Sequence, residues 1–147
     1  MVEFVSRLNG VRRRFLMPVA LLFCLSASAF AELPPYVYKE QQAKSPERLT
    51  IKVKSVKTTE RDEPDRKRVD VTVEARVTKV ARTASRLRPG RTIRIRYTRS
   101  EYKQPIAGPS EVPLLREGET YPAFLSKSKE GNTYAPAAGG FSFRVVE

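Results

Sequence analysis

The sequence contains no histidine and no tryptophan, and its single cysteine, Cys24, lies near the N-terminus. Histidine is the usual general base near neutral pH and the commonest zinc ligand. Its absence excludes hydrolases with a serine–histidine–aspartate triad and the usual zinc enzymes. We therefore expect a protein without enzymatic activity, with no catalytic residues, no bound metal and no cofactor.

The first 31 residues have the pattern of a cleavable signal peptide. Residues 12–14 are three arginines, residues 15–25 form an apolar run, and Ala29 and Ala31 occupy the two positions that a signal peptidase reads. The apolar run is shorter than the roughly 20 residues that a transmembrane helix requires, which argues against a membrane anchor. We expect cleavage after Ala31 and a periplasmic or secreted protein.

Cys24 raises the alternative of a lipoprotein, because acylation of a cysteine in this region would tether the chain to a membrane. The residue before a lipidated cysteine is normally small, whereas Phe23 is bulky. The sequence therefore favours export without a lipid anchor.

Removal of residues 1–31 would leave 116 residues with 24 lysines and arginines, 15 acidic residues, a formal charge of +9 and no cysteine. This length suits one domain. Without disulfides, the core alone must stabilise the fold, which favours a closed barrel. We divide the chain into a signal peptide (residues 1–31), an N-terminal helix or extension (32–47) and an OB-like β-barrel domain (48–147).

The residues before position 48 predict one short helix, because good helix formers follow Pro35 and precede Pro46. Tyr36, Val37 and Glu40 have helical spacing and would pack against the domain. From Leu49 the hydrophobic period changes to two, which is typical of strands.

Five strands follow from this alternation and from the turn residues between the segments. The first has Leu49, Ile51, Val53 and Val56 on one face, and the second has valines and an alanine at positions 69–77. Charged residues 60–67 form the turn between them. The others are a third strand from Ile93 to Thr98, a fourth at residues 121–125 that Pro122 marks as an edge or a bend, and a closing strand at residues 141–146. A long loop spans residues 103–113.

A mainly β fold with five strands and a short N-terminal helix fits an OB-like barrel, since closure removes exposed sheet edges. A small β-sandwich is the alternative, but sandwiches of the immunoglobulin type have about seven strands.

The pattern Leu115-x-x-Gly118-x-x-Tyr121-x-x-Phe124-Leu125, with Tyr134 and a Gly-Gly pair after it, resembles the later half of netrin-type modules. These modules share an OB barrel with the tissue inhibitors of metalloproteinases. The resemblance implies that fold, and a habit of binding proteins or anionic polysaccharide outside the cell. The inhibitors chelate zinc with an N-terminal cysteine, whereas the expected mature N-terminus here is Glu32, so zinc chelation is not carried over.

Basic residues at outward positions of the predicted strands are the strongest candidates for a binding site. Two tyrosines near them would supply stacking surfaces. The alternative is a solvated sheet face whose charges resist aggregation and are neutralised by nearby acids. The candidate ligand-binding residues are Lys52, Lys54, Arg91, Arg94, Arg96, Tyr97, Arg99, Tyr102 and Lys103.

These features together predict an exported binding module for an anionic polymer or an acidic protein of the cell envelope. Export argues against nucleic acid as the physiological ligand, and no transmembrane segment is expected after processing. A structural protein that docks a larger envelope assembly through its N-terminal helix is the rival interpretation. A protease inhibitor without zinc chelation is a third.

Overall fold

A computed structural model describes residues 33–104 and 108–147. The predicted signal peptide, with Cys24 and the cleavage site after Ala31, lies outside the described residues. None of the helices in the described ranges is long and apolar enough to cross a membrane.

The described chain is mainly β, as the alternation predicts, with one short helix. Helix α1 spans Pro35–Lys44, and a single 3₁₀ turn spans Gly139–Phe141. The strands are β1 at Glu47–Asp62, β2 at Arg66–Thr83, β3 at Thr92–Tyr102, β4 at Thr120–Lys127 and β5 at Thr133–Pro136.

Strands β1 and β2 form a long antiparallel hairpin. The predicted turn at residues 60–67 was too wide, because residues 60–62 and 66–67 pair within the strands and only residues 63–65 make the turn. The charged side chains here reach solvent from paired positions. Register shifts within β1, one of them between Val53 and Ser55, place Val56 opposite the buried Val73 and confirm its predicted face.

The five strands form one sheet that closes into a ring in the order β1-β2-β3-β5-β4. Residues 47–52 of β1 pair with residues 120–125 of β4, and β4 pairs with β5 from Leu125 onward. Pro122 therefore lies where β4 is paired on one side only, as its missing N–H requires. The parallel contact between β3 and β5 is short, with Arg94 opposite Thr133 and Ile95 opposite Tyr134.

One hydrophobic core fills the ring. It contains the inward valines, isoleucines and leucines of β1, β2 and β3, together with Leu125 and Tyr134 from the other strands. Leu115 from the segment between β3 and β4 and Phe143 from the C-terminal tail complete it. Burial of each such side chain stabilises the fold by roughly 1.5–3 kcal/mol. The described residues contain no cysteine, so no disulfide among them adds to this stability.

The prediction of a closing strand at residues 141–146 was wrong. The last strand is β5, and the following chain makes a 3₁₀ turn and an irregular tail. Gly139 has a φ of +50°, which a strand does not allow. A Cβ on Gly140 would lie 2.4 Å from the Ser110 carbonyl oxygen, so the backbone here packs closely on the loop before β4.

Helix α1 packs on this tail through a different face from the one its sequence suggested. Tyr36 is 69% exposed, whereas Tyr38 and Gln42 are buried. The Tyr38 ring stacks on Phe141 at 4.2 Å between centroids. The Gln42 amide nitrogen donates to the carbonyls of Phe141 (2.7 Å) and Arg144 (2.6 Å), and its oxygen accepts from the Val146 amide at 3.3 Å.

Replacing Gln42 by leucine should destabilise the protein by about 1–3 kcal/mol, because two partly buried carbonyls and one buried amide lose their partner. The measurement is urea unfolding of the purified protein. Lys39→Ala, on the exposed side of the same helix, is the matched control and should change stability by less than about 0.5 kcal/mol. Equal stability of Gln42→Leu and the unmodified protein would show that the helix does not hold the tail.

Candidate anion-binding surface

The outer face of β1, β2 and β3 carries most of the predicted cations. Alternation turns the valines and isoleucines inward, so the residues between them face solvent. Cross-strand pairing then aligns them in rows: Lys57, Thr72 and Arg96 form one row, and Lys52, Arg76 and Thr92 another. Six exposed cations lie in these two rows or between them, and we call them the basic face: Lys52, Lys54, Lys57, Arg76, Arg94 and Arg96.

Acidic residues neutralise part of this surface. Arg94 lies 3.5 Å from Glu74, and Arg96 lies 3.9 Å from Glu130 of the β4–β5 turn. The side chains of these pairs are about half exposed or more, so each pair contributes no more than about 1 kcal/mol. A multivalent anion can therefore compete with Glu74 and Glu130 for the arginines.

Asp70 interacts with the cations nearer the hairpin tip. It bonds Arg61 and lies 4.0 Å from Arg68. A hydrogen bond from the Thr98 hydroxyl, followed by the Arg61 guanidinium, holds the pKa of the Asp70 carboxyl below its usual value. Asp70 thus stays ionised and removes this end of the sheet from the candidate surface.

Four members of the basic face have no carboxylate partner among residues 33–104 and 108–147: Lys52, Lys54, Lys57 and Arg76. Lys52 and Arg76 are direct cross-strand partners, and Lys54 occupies the bulge between Val53 and Ser55. Lys57 and Arg76 were not in the predicted set, although both stand at outward positions of the alternating pattern. The cross-strand pairing of β1 with β2 adds these two residues to the surface.

Two predicted site residues lie on the opposite face. Residues 97 and 99 share the inward parity of Ile95, and Tyr97 packs under the segment before β4. The Tyr97 hydroxyl donates to the Pro113 carbonyl at 2.8 Å, and its ring lies 6.2 Å from Phe143. The Arg99 side chain is 23% exposed, with its nearest carboxylate at Glu101. The prediction of an outward Arg99 was therefore wrong, and Tyr97 belongs to the packing.

Tyr102 and Lys103 lie at the tip of the hairpin, away from the rows of cations. The Lys103 ammonium donates to the carbonyls of Glu63 (2.9 Å) and Pro64 (3.3 Å), so it caps the β1–β2 turn. Arg66 packs over the Tyr102 ring. The long loop predicted at residues 103–113 has no helix or strand in its described part, which excludes residues 105–107.

Arg91 lies at the corner between β2 and β3. The Val77 amide donates to the Arg91 carbonyl (2.8 Å), and the Gly90 amide donates to the Val77 carbonyl (2.7 Å). Gly90 has a φ of +90°, which glycine accommodates without strain. Arg76 reaches this corner, since its Nη2 lies 3.7 Å from where a Gly90 Cβ would stand.

No protein-family model matches this chain, and comparisons with curated proteins and with solved structures also give no match. The resemblance to netrin-type modules stays a prediction from the residues that suggested it.

Tyr97 should make the protein lose stability at high pH. Burial raises the pKa of its phenol to about 12. In the unfolded chain the phenol ionises near pH 10, so its contribution is complete below about pH 10 and is lost as the pH rises toward 12.

In Tyr97→Phe, the free energy of unfolding should fall less between about pH 9 and 11.5 than in the unmodified protein. Urea unfolding at a series of pH values measures this difference. The exposed Tyr36 gives the matched control, and Tyr36→Phe should keep the unmodified pH dependence. Identical slopes for all three proteins would contradict a buried phenol.

Proposed function

We propose that this protein is an exported, non-enzymatic binding module with an OB-like barrel. Its ligand is an anionic polymer or an acidic protein of the cell envelope, bound through the basic face. The ring order β1-β2-β3-β5-β4 supports the barrel type, because OB folds are five-stranded Greek-key barrels. Export rests on the signal-peptide pattern of residues 1–31.

The observation that carries the proposal is the set of unpaired cations Lys52, Lys54, Lys57 and Arg76 on neighbouring positions of one sheet face. These four cations form no ion pair with a carboxylate of the described residues, although the Glu117 carboxylate accepts the nearby Val56 amide at 2.9 Å. Their charges contribute a positive potential to that face, which attracts polyanions. Near the hairpin tip, by contrast, Arg61, Arg66 and Lys67 each have a carboxylate partner, in Asp70, Glu63 and Glu60.

Recognition on this face depends on charge rather than on ring stacking. Strands β1 and β2 contain no aromatic residue, and the two of β3 are the inward Tyr97 and the tip residue Tyr102. Stacking on an aromatic surface is how OB folds retain single-stranded nucleic acid or sugar rings. The basic face instead predicts a ligand with closely spaced negative groups and binding that salt weakens.

Lys52→Glu/Lys54→Glu should reduce binding to immobilised heparin, used here as a probe polyanion. Loss of two ionic contacts should lower the slope of log affinity against log salt concentration by about 2. Lys39→Glu/Lys44→Glu on helix α1 changes the net charge equally and is the matched control. If both double variants lose the same affinity, attraction depends on net charge and the basic face is not a site.

Docking through apolar surface is the rival function, and three exposed side chains favour it: Leu33 and Tyr36 near the start of α1, and Val145 of the tail, at 44%, 69% and 57% exposure. A pull-down from the native envelope, washed in parallel at low and high salt, separates the two. We expect the partner to be lost at high salt, because screening weakens contacts between exposed charges. A partner retained at high salt and lost in Tyr36→Ser would overturn the proposal in favour of docking.

A further inference from the structure

We propose that a second site, the arginine cavity, binds a phosphate monoester group of the anionic partner. The cavity lies between the β2–β3 connection and the β4–β5 turn and has a volume of about 220 Å³. Its cations are Arg86, Arg88 and Arg91 from the connection and Lys127 from the end of β4. Three of the four were not among the residues that the sequence singled out.

The lining of the arginine cavity contains no carboxylate. Besides the four cations it consists of Ser85, Leu87, Asn132 and Tyr134. None of the four cations forms an ion pair with a carboxylate of the described residues. Cations gathered around one concavity repel each other, and a bound anion removes that repulsion.

The backbone that presents these arginines is strained and held in place. Arg86 has a φ of +58°, and it is the one described residue other than glycine with a positive φ. Such a conformation costs on the order of 1 kcal/mol or more and persists where neighbouring contacts impose it. Strain of this kind concentrates at ligand-binding segments.

Contacts on both sides of Arg86 impose the conformation. The Ser85 amide donates to the carboxylate of the fully buried Glu47 at 2.8 Å, and the Leu87 amide donates to the Thr83 hydroxyl at 2.9 Å. Leu87 is itself buried in the core. The connection is therefore fixed before any ligand arrives, which spares the ligand the entropy of ordering it.

The chemistry of the four cations fits a phosphate monoester. At neutral pH such a group carries a charge of about −1.5 to −2, against −1 for a carboxylate or a sulfate ester. Guanidinium groups bind phosphate oxygens through two parallel hydrogen bonds. The cavity holds the volume of about seven water molecules, which accommodates a phosphate group with part of the sugar that carries it.

The arginine cavity adjoins the basic face. Arg91 lines the cavity, and Arg76 of the basic face reaches the corner formed by Gly90. The inference rests on the proposed function, since it assigns one chemical group of the same anionic partner to this cavity. A phosphorylated polymer would then place its phosphate here while its other charges follow the sheet.

Isothermal titration calorimetry of the purified protein with glucose 6-phosphate tests the site, with glucose 6-sulfate as the singly charged comparison. We expect saturable binding of the phosphate near pH 7.5 and binding of the sulfate weaker by about tenfold. Because the chain has no histidine, the phosphate affinity should fall toward pH 5 as the ligand gains a proton with a pKa of about 6, while the sulfate affinity stays constant. Equal affinities for the two esters would overturn the inference.

Variants locate the binding. Arg88→Gln/Lys127→Gln should weaken glucose 6-phosphate binding by about tenfold or more. Arg86→Gly removes one cation while glycine accepts the positive φ, so it should weaken binding without lowering thermal stability. Phosphate binding that both variants leave unchanged would place it elsewhere and overturn the inference.

A variant of the basic face distinguishes the proposed function from the proposed phosphate site. Lys52→Glu/Lys54→Glu should lower heparin affinity but leave glucose 6-phosphate affinity within about twofold. If it leaves heparin affinity unchanged while the cavity variants lose phosphate, the proposed function fails and the cavity stands. Dextran phosphate compared with glucose 6-phosphate identifies the source: tighter binding of the polymer points to a polymeric phosphate, and equal binding to a free sugar phosphate.

Discussion

The pairing of β1 with β2 is the interaction on which the rest of the structure depends. These strands of 16 and 18 residues pair along nearly their whole length. A flat two-stranded ribbon could not close into a ring. The register shifts along β1, of which the last lies between Val53 and Ser55, bend the strands. The first part of β1 can then take β4 as its second partner, while the first part of β2 takes β3.

The same pairing decides where the charges go. A slip of one residue would turn the cations of the basic face toward the core and the buried valines toward solvent, so burial of the valines fixes the register. The packed core therefore fixes the backbone positions that carry the basic face. Under the proposed function, this backbone spacing of the rows would determine which spacing of negative groups the face accepts.

The alternation of the sequence predicts much of this arrangement. Valines at every second position of β2 specify one buried face, and the turn residues around Gly90 locate the start of β3. The inward face of Val56, by contrast, departs from strict alternation and depends on the register shift between Val53 and Ser55. Arg99 was wrongly predicted to face outward, although strict alternation with Ile93 and Ile95 already implies an inward side chain.

Tertiary contacts determined what the sequence did not predict. Residues 141–146 alternate like a strand, but the close approach of Gly140 to Ser110 and the hydrogen bonds of Gln42 hold them in another conformation. Helix α1 follows the same rule, since the contact with Phe141 selects Tyr38 rather than Tyr36. The arginine cavity combines a connection with residues some 40 positions later, and no local pattern marks that proximity.

Glu47 links the core to the candidate sites. It is fully buried at the start of β1, opposite Thr83 of β2 and Leu125 of β4, and it bonds the backbone just before Arg86. Burying a carboxylate is unfavourable unless its hydrogen bonds compensate, so apolar packing alone would favour another residue at this position. Unlike an apolar residue, Glu47 accepts a hydrogen bond from the Ser85 amide. This bond holds the β2–β3 connection in the conformation that Arg86 requires. The unfavourable burial and the backbone strain therefore occur at adjacent points of one structure, beside the cavity that we propose as an anion site.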